Sequence, residues 1–231
     1  MPKVKGFVLI NKNKTKKLQH SITDRRKKSD DDDEESILPF FDDDKIYRQN
    51  NHIYYRDDVT TESISKLIKL IDEANDEFQD LEMKTKNVTI TPDPLYIHIT
   101  SHGGSLLAGF MGADAIENSK IPVHTIVDGY AMSAATFLSL AGEFKYMTRN
   151  SYMLIHQLSS QLWGTFDQTV DDHENNVELM NRIKQLYEEK TEGKLKGKSL
   201  DNILKHDRYW NFDTCFKYGL VDEVYEPNKK R

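Results

Sequence analysis

Cysteine is almost absent from this chain, with Cys215 the single thiol in 231 residues. One thiol excludes an intrachain disulfide framework and a thiolate zinc cluster, so the fold must rest on its core, and a reducing compartment fits. Long apolar runs are missing as well. No stretch approaches the roughly 20 apolar residues that a membrane-spanning helix needs, which argues against membrane integration. The N-terminus MPKVKGFVLINKNKTKK lacks the apolar run and small-residue cleavage site of a secretory signal. A soluble cytoplasmic, organellar or virus-infected-cell compartment is therefore expected, without secretion. There is no excess of positive charge either: 32 Lys+Arg against 38 Asp+Glu leave a net charge of −6, which gives no electrostatic footprint for nucleic acid. Hydrophobic residues make up 37% and charged residues 30%, so part of the chain is not expected to belong to a core.

The charge that is present is unevenly placed, and this locates a boundary. From Lys12 to Lys28 the sequence is basic and polar (KNKTKKLQHSITDRRKK), and Asp30 to Glu35 reads DDDDEE. Like-charge blocks repel and stay solvated, and no aromatic residues interleave the basic tract to stack on bases. Residues 1–45 are therefore expected to be a disordered extension, with Ile37–Phe41 (ILPFF) as a possible short apolar anchor. The ordered domain is expected over 46–226, followed by a short polar tail at 227–231.

Within that domain, strand, turn and helix signals alternate. His52–Tyr55 (HIYY) predicts a strand, and Thr60–Thr61 opens a helix with Ile64, Leu67, Ile68, Ile71 and Ala74 at three-and-four spacing. Leu95–Thr100 predicts a buried strand running into His102-Gly103-Gly104, and Leu106–Asn118 a helix. Val123–Val127 predicts a further strand, after which Gly129 to Ala135 opens a small-residue helix through Ala141. Tyr146–Met147 and Tyr152–Ile155 predict strands around an Arg149-Asn150 turn. Such alternation argues for an α/β fold with helices packed on a sheet. A long helix over Asp167–Lys190 carries Val170, Val177, Met180, Ile183 and Tyr187 near heptad spacing; its length suggests a reach beyond its own domain. A shorter helical stretch restarts at Leu200–Leu204.

Several residues could carry chemistry. Ser133, between a strand and a helix start among small neighbours, suits a nucleophile, although serine there is also an ordinary cap. Gly103-Gly104 could point N–H groups into a cleft, or simply make a tight turn. His156, ending a strand, could accept and return a proton near neutral pH. Asp207 could orient it, or pair with Arg208. The other histidines show no metal-ligand spacing, so no metal is expected. Cys215 reads as a small hydrophobe, and Trp163 and Trp210 as packing or substrate-wall residues.

Taken in order, the motifs are Ser101-His102-Gly103-Gly104, Gly129-Tyr130-Ala131-Met132-Ser133-Ala134-Ala135, Met153-Leu154-Ile155-His156-Gln157, Gly164, Asp207-Arg208-Tyr209 and Tyr218-Gly219-Leu220-Val221-Asp222. Together they resemble the proteolytic subunit of the Clp protease over about residues 50–225. The resemblance implies a crotonase-like α/β fold with repeated β-β-α units and a long protruding helix. It implies a serine peptidase with Ser133 as nucleophile, His156 as base and Asp207 as orienter, and backbone N–H groups of Gly104 and Ala134 as the oxyanion hole. It also implies heptameric rings stacked as a tetradecamer around a chamber. An AAA+ ATPase would feed unfolded chains to it, with ATP spent by that partner and no cofactor in this subunit.

The sequence departs from the family pattern at three places. His102 and Leu158 stand where the family has proline, and Thr-Phe-Asp-Gln follows Gly164 in place of the usual Gly-Gln-Ala motif. The N-terminal extension does not match the family's short axial loop, as in a divergent organellar, viral or phage homologue. Three other readings stay open: a non-catalytic ring scaffold, a signal-peptide-peptidase-like hydrolase with a lysine base, and an acyl-CoA enzyme of the crotonase type.

Overall fold

The computed structural model describes residues 45–85 and 88–227. The charged extension before Lys45, its ILPFF segment and the last four residues lie outside them. The described chain opens with a hairpin, β1 (Ile46–Gln49) antiparallel to β2 (His52–Tyr55), a strand the sequence pattern did not single out. Its turn is Asn50-Asn51, with Asn50 at φ 55°, a left-handed conformation asparagine tolerates better than most residues.

After the hairpin come α1 (Thr61–Lys84), β3 (Leu95–Ser101), α2 (Leu106–Glu117), β4 (Val123–Met132), α3 (Ala135–Leu140), β5 (Phe144–Met147) and β6 (Tyr152–Leu154). The chain continues through α4 (Phe166–Lys190), α5 (Gly197–Leu204), α6 (Phe212–Lys217) and β7 (Glu223–Val224). The sheet runs β1-β2-β3-β4-β5-β7, parallel from β2 onward, and β6 joins it by pairing with β4.

Strand alternation divides the sheet into two faces. Ile53, Tyr55, Leu95, Ile97, Ile99, Val123 and Val127 are buried in the core with Ile64, Leu67 and Ile71 of α1. Burial of each such side chain stabilises by roughly 1.5–3 kcal/mol. The other face carries rings that pack on one another: Tyr54 stacks on His98 at 4.6 Å and His52 on Tyr96 at 5.0 Å. Thr60 starts α1 with a capping box to Ser63, and Thr165 starts α4 with one to Gln168, which satisfies N–H groups that a helix start leaves unpaired.

Two expectations are corrected. The segment Gly129–Met132 does not open a helix: it continues β4 to ten residues, and α3 begins only at Ala135. The apolar stripe of the long helix is also divided. Ile183 and Tyr187 join Leu186 in this chain's own core, whereas Val170 and Val177 are exposed, as are Trp163 and Phe166 just before them. Trp163, at 99% exposure, is therefore not a packing residue within this chain.

Candidate active site

The site is built on the double use of β4. Its first half pairs with β5, His124 to Val127 against Phe144 to Met147, and its second half pairs with β6, Tyr130 to Met132 against Tyr152 to Leu154. The change of partner falls at Gly129, which sits at φ 98°, and opposite it the β3–β4 register shifts between Ile99 and Ser101. The redirected strand ends directly before Ser133.

Ser133 is held at φ 54°, a left-handed conformation that costs a serine on the order of 1 kcal/mol and must be imposed by its surroundings. Its N–H donates to the Leu154 carbonyl at 2.8 Å. Its carbonyl accepts from the Thr136 N–H at 3.0 Å and from the Thr136 hydroxyl at 2.6 Å. The Thr136 hydroxyl in turn lies 2.7 Å from the Tyr187 hydroxyl.

The Gly103-Gly104 turn closes against this backbone. A Cβ at Gly103 would lie 2.5 Å from the Met132 carbonyl oxygen, 2.8 Å from Ser133 Cβ and 3.1 Å from the Ala134 nitrogen, and the residue sits at φ 94°. Only glycine combines that approach with that dihedral. Gly104 forms a parallel bridge to Val59: the Val59 N–H donates to the Gly103 carbonyl at 2.8 Å and the Ser105 N–H to the Val59 carbonyl at 2.7 Å. In such a bridge the central residue's own N–H points away from its partner strand, so that of Gly104 is turned from Val59.

His156 lies just beyond β6, whose Leu154 is bound to Ser133, so strand pairing brings the two residues to neighbouring strand ends. The loop after α5 straps along the other side of β6. Met153 and Trp210 exchange two backbone hydrogen bonds, at 2.9 and 2.7 Å, and the Gln157 N–H donates to the Leu204 carbonyl at 2.7 Å. Asp207 falls between these anchors and presents Oδ1 3.8 Å from His156 Nδ1. That is ion-pair range, longer than a hydrogen bond, and the Asp207 side chain is 78% exposed. The five residues singled out from the sequence thus lie around the end of β4: Ser133 and Ala134 directly after it, Gly104 beside it, His156 just beyond β6, and Asp207 on the loop along the far side of β6.

Three contributors were not singled out: Val59, which pins the glycine turn, and Thr136 and Tyr187, which hold the Ser133 carbonyl. A Ser-x-x-Thr spacing at a helix start is a detectable signal for the second, whereas Tyr187 reads only as one more apolar position of a helix. Cys215 is fully buried, and burial pushes its thiol up to about 12, so it is no nucleophile at neutral pH. Among the described residues no group of three His, Cys, Asp or Glu is placed to hold a metal ion, and no helix is long and apolar enough to cross a membrane.

Comparison with known proteins gives two findings. The family model described as Clp protease matches residues 49–228. Among solved structures, a point mutant of ClpP1 from Listeria monocytogenes is similar with a TM-score of 0.62 and 21% sequence identity, covering 74% of this chain and 89% of that chain. The likeness extends to the architecture, a mixed α/β fold of the crotonase-like type.

Proposed function

The chain belongs to the Clp protease family as a ClpP-like peptidase, and from that premise we propose that it cleaves polypeptides by a Ser133-His156-Asp207 mechanism through an acyl-enzyme. The observation that carries this reading is the Gly103-Gly104 turn pressed onto the backbone of a Ser133 held at φ 54°. In this reading the N–H groups of Gly104 and Ala134 serve as the oxyanion donors beside the nucleophile, which the close packing of the glycine turn on Met132 to Ala134 supports.

In this reading His156 turns Nδ1 to Asp207 and uses Nε2 to take the proton of Ser133 as its Oγ attacks the scissile carbonyl. The carbonyl oxygen gains charge, which the N–H groups of Gly104 and Ala134 stabilise; removing one such donor costs about 10²–10³ in rate in measured systems. His156 returns the proton to the leaving amine, and water then enters by the same route to free Ser133. For Asp207 to orient the ring by a hydrogen bond, the 3.8 Å contact must shorten. A change of about 1 Å suffices, and such contacts often tighten only when the site is loaded. No cofactor takes part in this subunit. The active form is a double heptameric ring, and an AAA+ unfoldase supplies the substrate and spends the ATP.

The open His156–Asp207 contact is also the one observation that favours a second reading, a non-catalytic ring scaffold. One experiment separates the two. Wild type treated with a fluorophosphonate should carry the label on Ser133, and Ser133→Ala should carry none. A wild type that stays unlabelled while folded and assembled rejects the peptidase reading.

A further inference from the structure

The peptide bond between Ser133 and Ala134 carries two groups that matter, the Ser133 carbonyl and the Ala134 N–H. A trans peptide is planar, with its C=O and N–H pointing in opposite directions, so whatever fixes the carbonyl also fixes the N–H. Here the carbonyl is held by the Thr136 hydroxyl at 2.6 Å and the Thr136 N–H at 3.0 Å. A hydroxyl has one proton, and that of Thr136 is spent on the Ser133 carbonyl. The 2.7 Å contact between Thr136 Oγ1 and the Tyr187 hydroxyl is therefore a bond that Tyr187 donates. Thr136 is 0% and Tyr187 1% exposed, so no water replaces either member of the chain. Tyr187 belongs to the buried end of α4, 51 residues away in sequence from Thr136. Burial keeps its hydroxyl protonated, pushing its pKa well above the tyrosine range, so the donor is present at every working pH.

We propose that Tyr187 and Thr136 are positioning residues for catalysis: their hydroxyl chain orients the Ser133–Ala134 peptide so that the Ala134 N–H is aimed at the developing oxyanion. Neither residue touches substrate. They act through one backbone donor, and the Ser133 N–H bond to Leu154 at 2.8 Å fixes the preceding peptide in the same way. A left-handed serine needs such restraint on both sides, because relaxation toward an ordinary dihedral would swing the Ala134 N–H out of the cleft.

The proposal rests on Ser133 being the nucleophile, and its test keeps the two failures apart. The rate constant of bond formation and the binding constant of a fluorophosphonate are measured on the full chain, with the labelled residue identified by mass spectrometry. Because an oxyanion donor acts in the transition state and not in the encounter complex, Thr136→Val and Tyr187→Phe should lower the bond-forming rate constant about 10-fold. The binding constant should change by less than about twofold. The double variant should lose little more than either single one, and Thr136→Ser, which keeps the hydroxyl, should stay near wild type. Circular dichroism and sedimentation confirm that each variant is folded and assembled. Should Thr136→Val fail to fold, Tyr187→Phe, which keeps the ring and its packing, carries the test alone. Folded variants that react as fast as wild type, or that lose binding and rate alike, overturn the positioning role while leaving the nucleophile assignment intact. A wild type labelled elsewhere than Ser133, or not at all, overturns both.

Discussion

A methyl group at position 103 has no room: the nearest heavy atom is a backbone oxygen 2.5 Å away, which cannot rotate aside as a side chain could. Gly103→Ala should therefore force the turn away from Ser133 and take the Gly104 N–H with it. The expected outcome is a folded protein whose fluorophosphonate labelling is at least about 10²-fold slower, the loss seen when an oxyanion donor is removed. Labelling at the wild-type rate would separate the glycine turn from the chemistry. At this scale the sequence was informative where chemistry follows from residue type and order. Ser133, His156, Asp207 and the glycine pair could be named because their motifs occur in sequence. Tyr187 could not, since a tyrosine on an apolar helical stripe has the same pattern whether or not its hydroxyl reaches a partner. The partner, Thr136, is 51 residues away, and only the packing of α4 on α3 brings the two together.

At the scale of elements, β4 shows what the pattern left hidden. Gly129-Tyr130-Ala131-Met132 mixes glycine and alanine with an aromatic and a methionine, a composition that suits a helix start as well as a strand; pairing with β6, which lies beyond α3 and β5 in the chain, decides for the strand. β1 was missed for a related reason, since four residues before an Asn-Asn turn carry too little alternation to stand out until β2 pairs with them. On the sheet's aromatic face, β2, β3 and β4 bring three titratable side chains close together. His52 Nδ1 lies 3.0 Å from His98 Nε2, and His98 Nδ1 lies 3.5 Å from Asp128 Oδ2, linking β2, β3 and β4. Burial, and then the proximity of His98, lowers the His52 pKa below its ordinary 6.5. His98, aided by Arg56, holds the Asp128 carboxyl below its ordinary 3.8 despite partial burial. In the unfolded chain His52 takes its proton first, so its contribution to stability is complete above pH 6.5 and is lost as pH falls from there toward the folded value. The contribution of Asp128 is complete above pH 3.8 and is lost below it, as pH falls through the folded value. Of these two contributions, that of His52 is the one that changes between pH 7.5 and 5.5. Tm should fall over that interval, and by less in His52→Phe. Equal pH dependence in the two proteins would remove His52 from the account.

The whole molecule leaves one feature unexplained by its own core. Of the 25 residues of α4, only Ile183, Leu186 and Tyr187 are buried, all near its C-terminal end. The other end exposes Phe166 at 82%, Val170 at 42% and Val177 at 47%, and the residues leading into it expose Leu162 at 47% and Trp163 at 99%. Large apolar side chains gathered at one end of an element are what a subunit interface buries, and covering each one contributes roughly 1.5–3 kcal/mol. The capping box at Thr165–Gln168 starts the helix without help from a neighbour, so the exposed turns are a formed surface and do not need a partner to become helical. In the double ring proposed above this end of α4 joins ring to ring. A carboxylate in its middle would then be buried unpaired in every such contact, with the cost repeated around the ring. Val177→Asp should accordingly sediment as single rings or smaller species at concentrations where wild type is a double ring. Its circular dichroism should stay that of a folded subunit, because Val177 is not part of its own subunit's core. The Tyr187–Thr136 contact lies within one subunit, so any drop in the bond-forming rate at Ser133 that accompanies disassembly is carried along α4 from its exposed end to its buried one. A wild type that is monomeric at micromolar concentration by analytical ultracentrifugation, yet labels Ser133 at full rate, would reject the ring while leaving the serine chemistry in place.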